Sequence, residues 1–252
     1  MIDFITGNKF KSLCHYSFDE LGFVKHREPK DEVLKIFVKI DLVGNFFEMW
    51  GDQKFILVTH NGDTEVNLNF LKYIENPNLI QWYAQNVNIY HPKLKSIPIG
   101  IANEIWEHGN EKVFLEVIEK NHQKETMIYA NFDVNTNLFE RTKCAREIKK
   151  NGIELSSRKP FKSFLEEISK SHFVVSPNGN GIDCHKIWES LYLKSIPIVT
   201  NSINIKFYDD LPIYIIDDWS NFKVEDFNVD TYKKIWNNFK IEKLNISKFI
   251  DK

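Results

Sequence analysis

Short apolar runs of strand length recur along this chain, separated by stretches of helical periodicity, and that alternation restricts the fold more than any other feature. In the first half KIFVKI (35–40), FILVTH (55–60), LIQWYA (79–84) and SIPIGI (96–101) read as buried strands. Residues 111–121 read as a helix, with Val113, Phe114, Val117 and Ile118 on one face. In the second half MIYANF (127–132), HFVVS (172–176), IPIVT (196–200) and IYII (213–216) read as strands. Asn137, with Glu140 three residues on, gives a capping-box-like start to a helix ending near 150, with Phe139, Ala145 and Ile148 on its buried face. Asn151-Gly152 supplies its stop. Pro160 opens another helix, with Phe161, Phe164, Leu165 and Ile168 on one side, and 184–194 forms a third.

Apolar strands alternating with helices predict parallel sheets covered on both faces. Two such units, 1–124 and 125–252, joined through the polar NHQKET (121–126), suit a chain of 252 residues. The hexapeptide LKSIPI occurs at 94–99 and again at 193–198, but the flanking residues do not match and no duplication is drawn from it.

A net charge of −2 provides no global basic field, so nucleic acid is not an expected partner. Three widely spaced cysteines, Cys14, Cys144 and Cys184, fit a reducing compartment and offer no CxxC metal pair. MIDFITGNKF has no long apolar leader, and no run approaches the roughly 18 apolar residues of a membrane span. The expected location is cytoplasmic. After Asp230, Tyr232, Ile235, Trp236 and Phe239 recur at helical spacing opposite many lysines, the pattern of a membrane-surface helix or of a terminal helix packed on its own protein.

The chemistry concentrates in SPNGNGIDCHKIWESLYLKSIPIV, 176–199. A strand ends at Ser176, Asn178-Gly179-Asn180-Gly181 forms a turn that tolerates positive φ, and Asp183 is positioned to cap the helix that follows. Backbone amides at such a strand-to-helix turn favour an anion. Lys186 in the first helical turn opposes the helix dipole unless a phosphate neutralises it. Glu189, one turn on, can accept both hydroxyls of a ribose. The segment therefore reads as a nucleoside-diphosphate cradle, and equally as a plain turn followed by solvated helix charges. It has no GxGxxG and no GxxxxGK[ST].

Arg141, at a helix start after a strand, is a second phosphate candidate or a surface partner of Glu140 or Asp133. Asn131 stands at a strand end, where open α/β sheets bind ligands, or forms a turn. His185 either donates to a phosphate or is a core histidine. For transfer to a hydroxyl acceptor a base must take the proton, and THNGD (59–63) offers Asp63 and His60, with Glu104 as rival. The alternative for THNGD is an Asn-Gly-Asp turn with His60 satisfied by the backbone.

The 176–199 run followed by YDDLPIYIIDDW (208–219) resembles the donor-binding region of exostosin-like, family 47 glycosyltransferases. THNGD, WYAQNVNIYHPKLKSIPIGIANEIW (82–106) and NTNLFERTK (135–143) are similar to bacterial and viral members of that group. The family often has arginine where this chain has Lys186, and family 10 fucosyltransferases, which use GDP-fucose, have a similar helix start. The resemblance implies a GT-B fold, two Rossmann-like domains with parallel sheets facing a cleft. It implies transfer of a sugar from a nucleotide-diphosphate donor, UDP-sugar by family habit, to a glycan or other hydroxyl, with inversion and without a bound metal or tightly held cofactor. Ser176, Asn178, Gly179, Asn180, Gly181, His185, Lys186 and Glu189, with Asn131 and Arg141, would hold the donor. Asp217-Asp218 would end a strand and position Trp219 rather than bind metal. A non-catalytic glycan- or nucleotide-binding module and a glycosyltransferase of modified DNA bases are the competing readings.

Overall fold

The computed structural model describes residues 2–29, 33–237 and 239–250. The chain is α/β and divides into two compact units, Met1–Ile99 with Asn245–Lys252, and Gly100–Leu244.

The first unit runs α1 (Gly7–Ser12), β1 (Tyr16–Asp19), β2 (Gly22–Lys25), β3 (Leu34–Lys39), α2 (Val43–Met49), β4 (Phe55–His60), α3 (Leu71–Ile74), β5 (Leu79–Ala84) and β6 (Leu94–Ser96). Its six-stranded sheet has the order β2-β1-β3-β4-β5-β6. The sheet is mixed, not parallel throughout as expected: β1 and β2 form an antiparallel hairpin at the edge. Asp19 Oδ1 accepts from the Leu21 amide at 3.0 Å and Gly22 takes φ +78, which closes that turn. SIPIGI does not form the fourth apolar strand. Pairing with Trp82–Ala84 stops at Ser96, and the chain then leaves the sheet past Pro98 and Gly100, which has φ +67.

After the hairpin the strand order advances in one direction, so crossovers of one hand place their helices on one face. There Phe47 of α2 stacks on Tyr73 of α3 at 4.8 Å and meets Trp82 of β5 at 6.5 Å. The opposite face, bearing Phe37, Val58 and Tyr83, would be bare. Phe10 of α1 covers it together with Ile246 and Ile250 from the C-terminal segment. The expected C-terminal domain 125–252 therefore loses its last residues to the first unit, because that unit's sheet needs an apolar cover that its own crossovers do not provide.

The second unit runs α4 (Glu111–Glu119), β7 (Thr126–Ala130), α5 (Leu138–Lys150), α6 (Phe161–Ser169), β8 (Ser171–Val175), α7 (His185–Tyr192), β9 (Ile196–Thr200), β10 (Tyr214–Ile216) and α8 (Val229–Trp236). Its four strands are all parallel, in the order β10-β9-β8-β7. Ile128, Ala130, Phe173, Val175, Ile196 and Ile198 pack with Cys144 and Ile148 of α5 and with Tyr232 and Trp236 of α8. Tyr129 meets Phe164 of α6 at 6.5 Å.

Helix α4, expected in the first domain, belongs here. Phe114 packs edge-on to Phe161 at 5.5 Å, and Glu116 and Lys120 pair with Lys162 and Glu166 of α6. The boundary consequently falls at residues 99–100, not 124, and NHQKET is internal to the second unit. Helix α5 differs from expectation on one side chain: Phe139 is 90% exposed, and Cys144 takes the buried position. Tyr232, Ile235 and Trp236 of α8 pack, half-buried, against their own core, the arrangement of a terminal helix packed on its own protein. No helix among the described residues is long and apolar enough to cross a membrane.

Candidate functional site

The segment after β8 is built around one carboxylate. Asn137 caps α5 by accepting from the Glu140 amide at 3.2 Å, as its spacing suggests. The Glu140 side chain does not complete a capping box. Its Oε1 accepts from the Asn178 amide at 3.1 Å, Trp219 Nε1 at 3.1 Å and Thr200 Oγ1 at 3.3 Å. The start of α5, the glycine-containing loop, the end of β9 and the turn after β10 therefore meet on one oxygen. The donors lie 38, 60 and 79 positions downstream, so local spacing gave no sign of the role.

Arg141, the next residue, clamps the same loop. Its Nε donates to the Asn178 carbonyl at 2.8 Å and its Nη1 to the Asp133 carbonyl at 2.8 Å. Asn137 Nδ2 donates to the Gly179 carbonyl at 2.9 Å. The expected positive φ does not occur at Gly179 or Gly181. Gly179 lies close under the Arg141 guanidinium: a Cβ there would sit 3.3 Å from Nη2. The loop amides are also less available than expected. Asn178 N–H goes to Glu140 and Gly179 N–H to the Gly181 carbonyl at 3.0 Å. Ser176 is buried, with its hydroxyl donating to the Val174 carbonyl at 3.1 Å, and is a structural residue.

Cys184, not Asp183, is the N-cap of α7; Asp183 accepts from Trp188 Nε1 at 2.9 Å and fixes that indole in the core. Lys186 Nζ donates to the Asn131 carbonyl and lies 5.6 Å from the centroids of both Phe132 and Phe164. Arg141 Cζ lies 5.9 Å from the same Phe132 ring. Among the described residues no carboxylate forms an ion pair with either cation. Desolvation pulls the Lys186 ammonium below its ordinary pKa; Cys184 and Glu189 oppose that shift and the Arg141 charge adds to it. Glu189 is 5% exposed, and no hydrogen-bond donor among the described residues reaches its carboxylate. Burial holds its pKa above the usual carboxylate range, partly offset by Lys186.

Asn131 contributes its backbone carbonyl to Lys186, while its side chain donates to the carbonyls of Ser156 at 3.3 Å and Ser157 at 2.7 Å. It positions the site rather than presenting a free amide. His185 Nδ1 donates to the Gly100 carbonyl at 2.8 Å, and its ring meets His108 edge-on at 6.3 Å. His108 in turn stacks on Trp106 at 6.1 Å, next to the exposed Glu104. Lys143 pairs with Asp218 at 2.5 Å, and Asp218 caps the turn carrying Trp219 by accepting from the Ser220 amide. That pairing and capping hold the Asp218 carboxyl down at about 2. Among the described residues no group of three or more His, Cys, Asp and Glu side chains could hold a metal ion.

In the first unit THNGD ends β4. His60 is buried; its Nδ1 accepts from the Asn61 amide at 2.7 Å and its Nε2 donates to the Pro98 carbonyl at 3.1 Å. Both ring nitrogens are engaged by backbone, so His60 is not a free base. Asn61 has φ +61, and Gly62 passes so close to Ile40 that a Cβ would lie 2.6 Å from its Cγ2. Asp63 is exposed, and Glu104 belongs to the second unit.

No protein-family model and no curated protein sequence matches the chain.

Proposed function

We propose that the protein is a glycosyltransferase that takes a sugar from a nucleotide-diphosphate donor, with UDP-sugar favoured, and passes it to a glycan or other hydroxyl. One observation carries this reading: Arg141 and Lys186 converge on the Phe132 ring with no ion-paired carboxylate, one helical turn from a buried Glu189 that lacks a donor. Two half-buried cations without an ion-paired carboxylate, and one buried carboxylate without a donor, leave charge that the Lys186–Glu189 attraction offsets only in part. A diphosphate neutralises the first, and ribose hydroxyls supply the donors the second lacks. As the glycosidic bond breaks, negative charge grows on the departing diphosphate, and a preorganised cation pair is most valuable there. Asp63 and Glu104 stay as candidates for the acceptor base; His60 does not.

A second reading, a nucleotide- or glycan-binding module without turnover, is favoured by the engagement of both His60 nitrogens. Thermal shift with UDP-, GDP- and CMP-sugars, with and without EDTA, tests both. A ligand at one hundred times its Kd adds about 2.7 kcal/mol. The expected result is a shift with one nucleotide class, lost in Glu189→Ala and in Lys186→Met, accompanied by release of free nucleotide on turnover. Binding without release supports the module, and no shift with any nucleotide sinks both.

A further inference from the structure

At the amino ends of the four-stranded sheet, away from Lys186 and Glu189, a small cleft encloses about 310 Å³ of empty space including its mouth. Ile118, Asn121, His122, Lys124, Tyr192 and Lys194 are among its lining residues, and no carboxylate is. Lys124 Nζ donates to Ser195 Oγ at 2.7 Å and to the Leu193 carbonyl at 3.2 Å, both neutral acceptors, at the C-terminal end of α7. An ammonium has three donors, so one remains. Ser169 Oγ donates to the Glu166 carbonyl at 2.8 Å, so its hydroxyl accepts from His122 Nδ1 at 2.7 Å. That fixes Nδ1 as the protonated nitrogen of the His122 ring. The backbone is unusual here too. Asn121 at φ +45 and Lys194 at φ +57 are two of the four non-glycine residues with positive φ among those described. Lys194 occupies the position after the α7 C-cap where glycine carries no steric penalty, and it brings a charge to the cleft instead.

The geometry points to a second anion site, in which Lys124 and Lys194, with the His122 ring beside them, bind a small oxyanion of sulfate or phosphate type. Burial, with Lys194 alongside, brings the Lys124 pKa down to about 7. Glu166, close enough to act on His122, is already paired with Lys120. Lys124 is therefore half-charged near neutrality when the cleft is empty, and an anion would draw the proton back on.

The test is a ¹³Cε-lysine NMR titration of the full chain in sulfate and in chloride at matched ionic strength. Sulfate keeps its charge over the range examined. The expected result is a higher Lys124 midpoint in sulfate, with sulfate affinity falling by up to about tenfold per pH unit above 7. The saturable part of the thermal stabilisation by sulfate at low millimolar concentration, above the general kosmotropic effect, should be lost in Lys124→Met and kept in Lys186→Met. Identical Lys124 titrations in the two salts overturn the site. So does saturable stabilisation that survives Lys124→Met, and loss in Lys186→Met alone would put the anion at the other cation pair instead.

Discussion

Replacing Glu140 is expected to damage the second unit more than any other single change to an incompletely buried side chain. Its Oε1 accepts three hydrogen bonds, from Asn178, Trp219 and Thr200. Alanine would leave the Asn178 amide and the indole of Trp219, a residue 1% exposed, without their acceptor. Each buried donor so abandoned costs about 1–3 kcal/mol. Glu140 itself is only half-buried, and water admitted to the gap would replace part of the loss, so about 3 kcal/mol is the reasoned figure. In a unit of this size that corresponds to a fall in Tm of about 6–12 °C. Glutamine keeps an acceptor at Oε1 and loses only the charge assistance, about 1 kcal/mol or roughly 2–4 °C. Differential scanning calorimetry, in which each unit's transition can be assigned, provides the comparison. Nucleotide affinity should follow the same order, because the Asn178–Gly181 loop is released in the alanine variant. Equal losses in Glu140→Ala and Glu140→Gln, or an alanine cost under about 1 kcal/mol, would refute the three-donor account.

Two further outcomes follow from the same geometry. Glu189→Gln should weaken nucleotide binding while stabilising the empty protein, and the gain should depend on pH. A carboxyl whose folded pKa is raised contributes fully below the ordinary range and loses that contribution as pH rises, so the advantage of glutamine should grow from pH 5 to pH 8. A slope of the opposite sign would mean that Lys186 stabilises the ionised carboxylate more than burial opposes it. Gly109→Ala should lower Tm, by about 1–3 kcal/mol of strain, since its Cβ would meet the Asn103 carbonyl oxygen at 2.1 Å and that of Ala102 at 2.6 Å. The displaced loop carries Glu104 and Trp106, so tryptophan fluorescence should change with it; an unchanged spectrum and Tm would show that the loop yields freely.

Apolar runs were legible because a strand covered on both faces needs them: FILVTH, LIQWYA and IPIVT form strands over the residues expected. The hairpin of Tyr16–Asp19 and Gly22–Lys25 was not, since four-residue strands carry little periodicity and only the Asp19…Gly22 turn marks them. Domain membership was misread for a different reason. The apolar face of Glu111–Glu119 shows that the helix packs on something, and only the fold shows that its partner is Phe161. At the site, Lys186 and Glu189 were readable from residue type and spacing. The clamp of Glu140 and Arg141 was not, because each side chain works on backbone groups far along the chain that any residue type would provide.

The repeated hexapeptide LKSIPI isolates that distinction. At 94–99 its first three residues are strand and the last three lead out of the sheet; at 193–198 the first three end a helix and the last three begin a strand. The second lysine, Lys194, has φ +57, while the first, Lys95, lies in extended strand. Identical propensities therefore give opposite frames, and what differs is upstream: a turn closed by Leu94 N–H on the His91 carbonyl in one case, a helix needing a left-handed residue at its end in the other. Position in the fold, not side-chain identity, decides what such a segment does. The same reasoning separates the two halves of the 176–199 segment. Ser176, Asn178 and Asp183 have polar groups satisfied inside the fold, and their presence is accounted for by folding alone. Lys186 and Glu189 are not so accounted for. Lys186 is half-buried, with a backbone carbonyl and two aromatic rings around its ammonium, and Glu189 is buried with no donor among the described residues; a ligand that brings both an anion and hydroxyl donors would make that placement favourable.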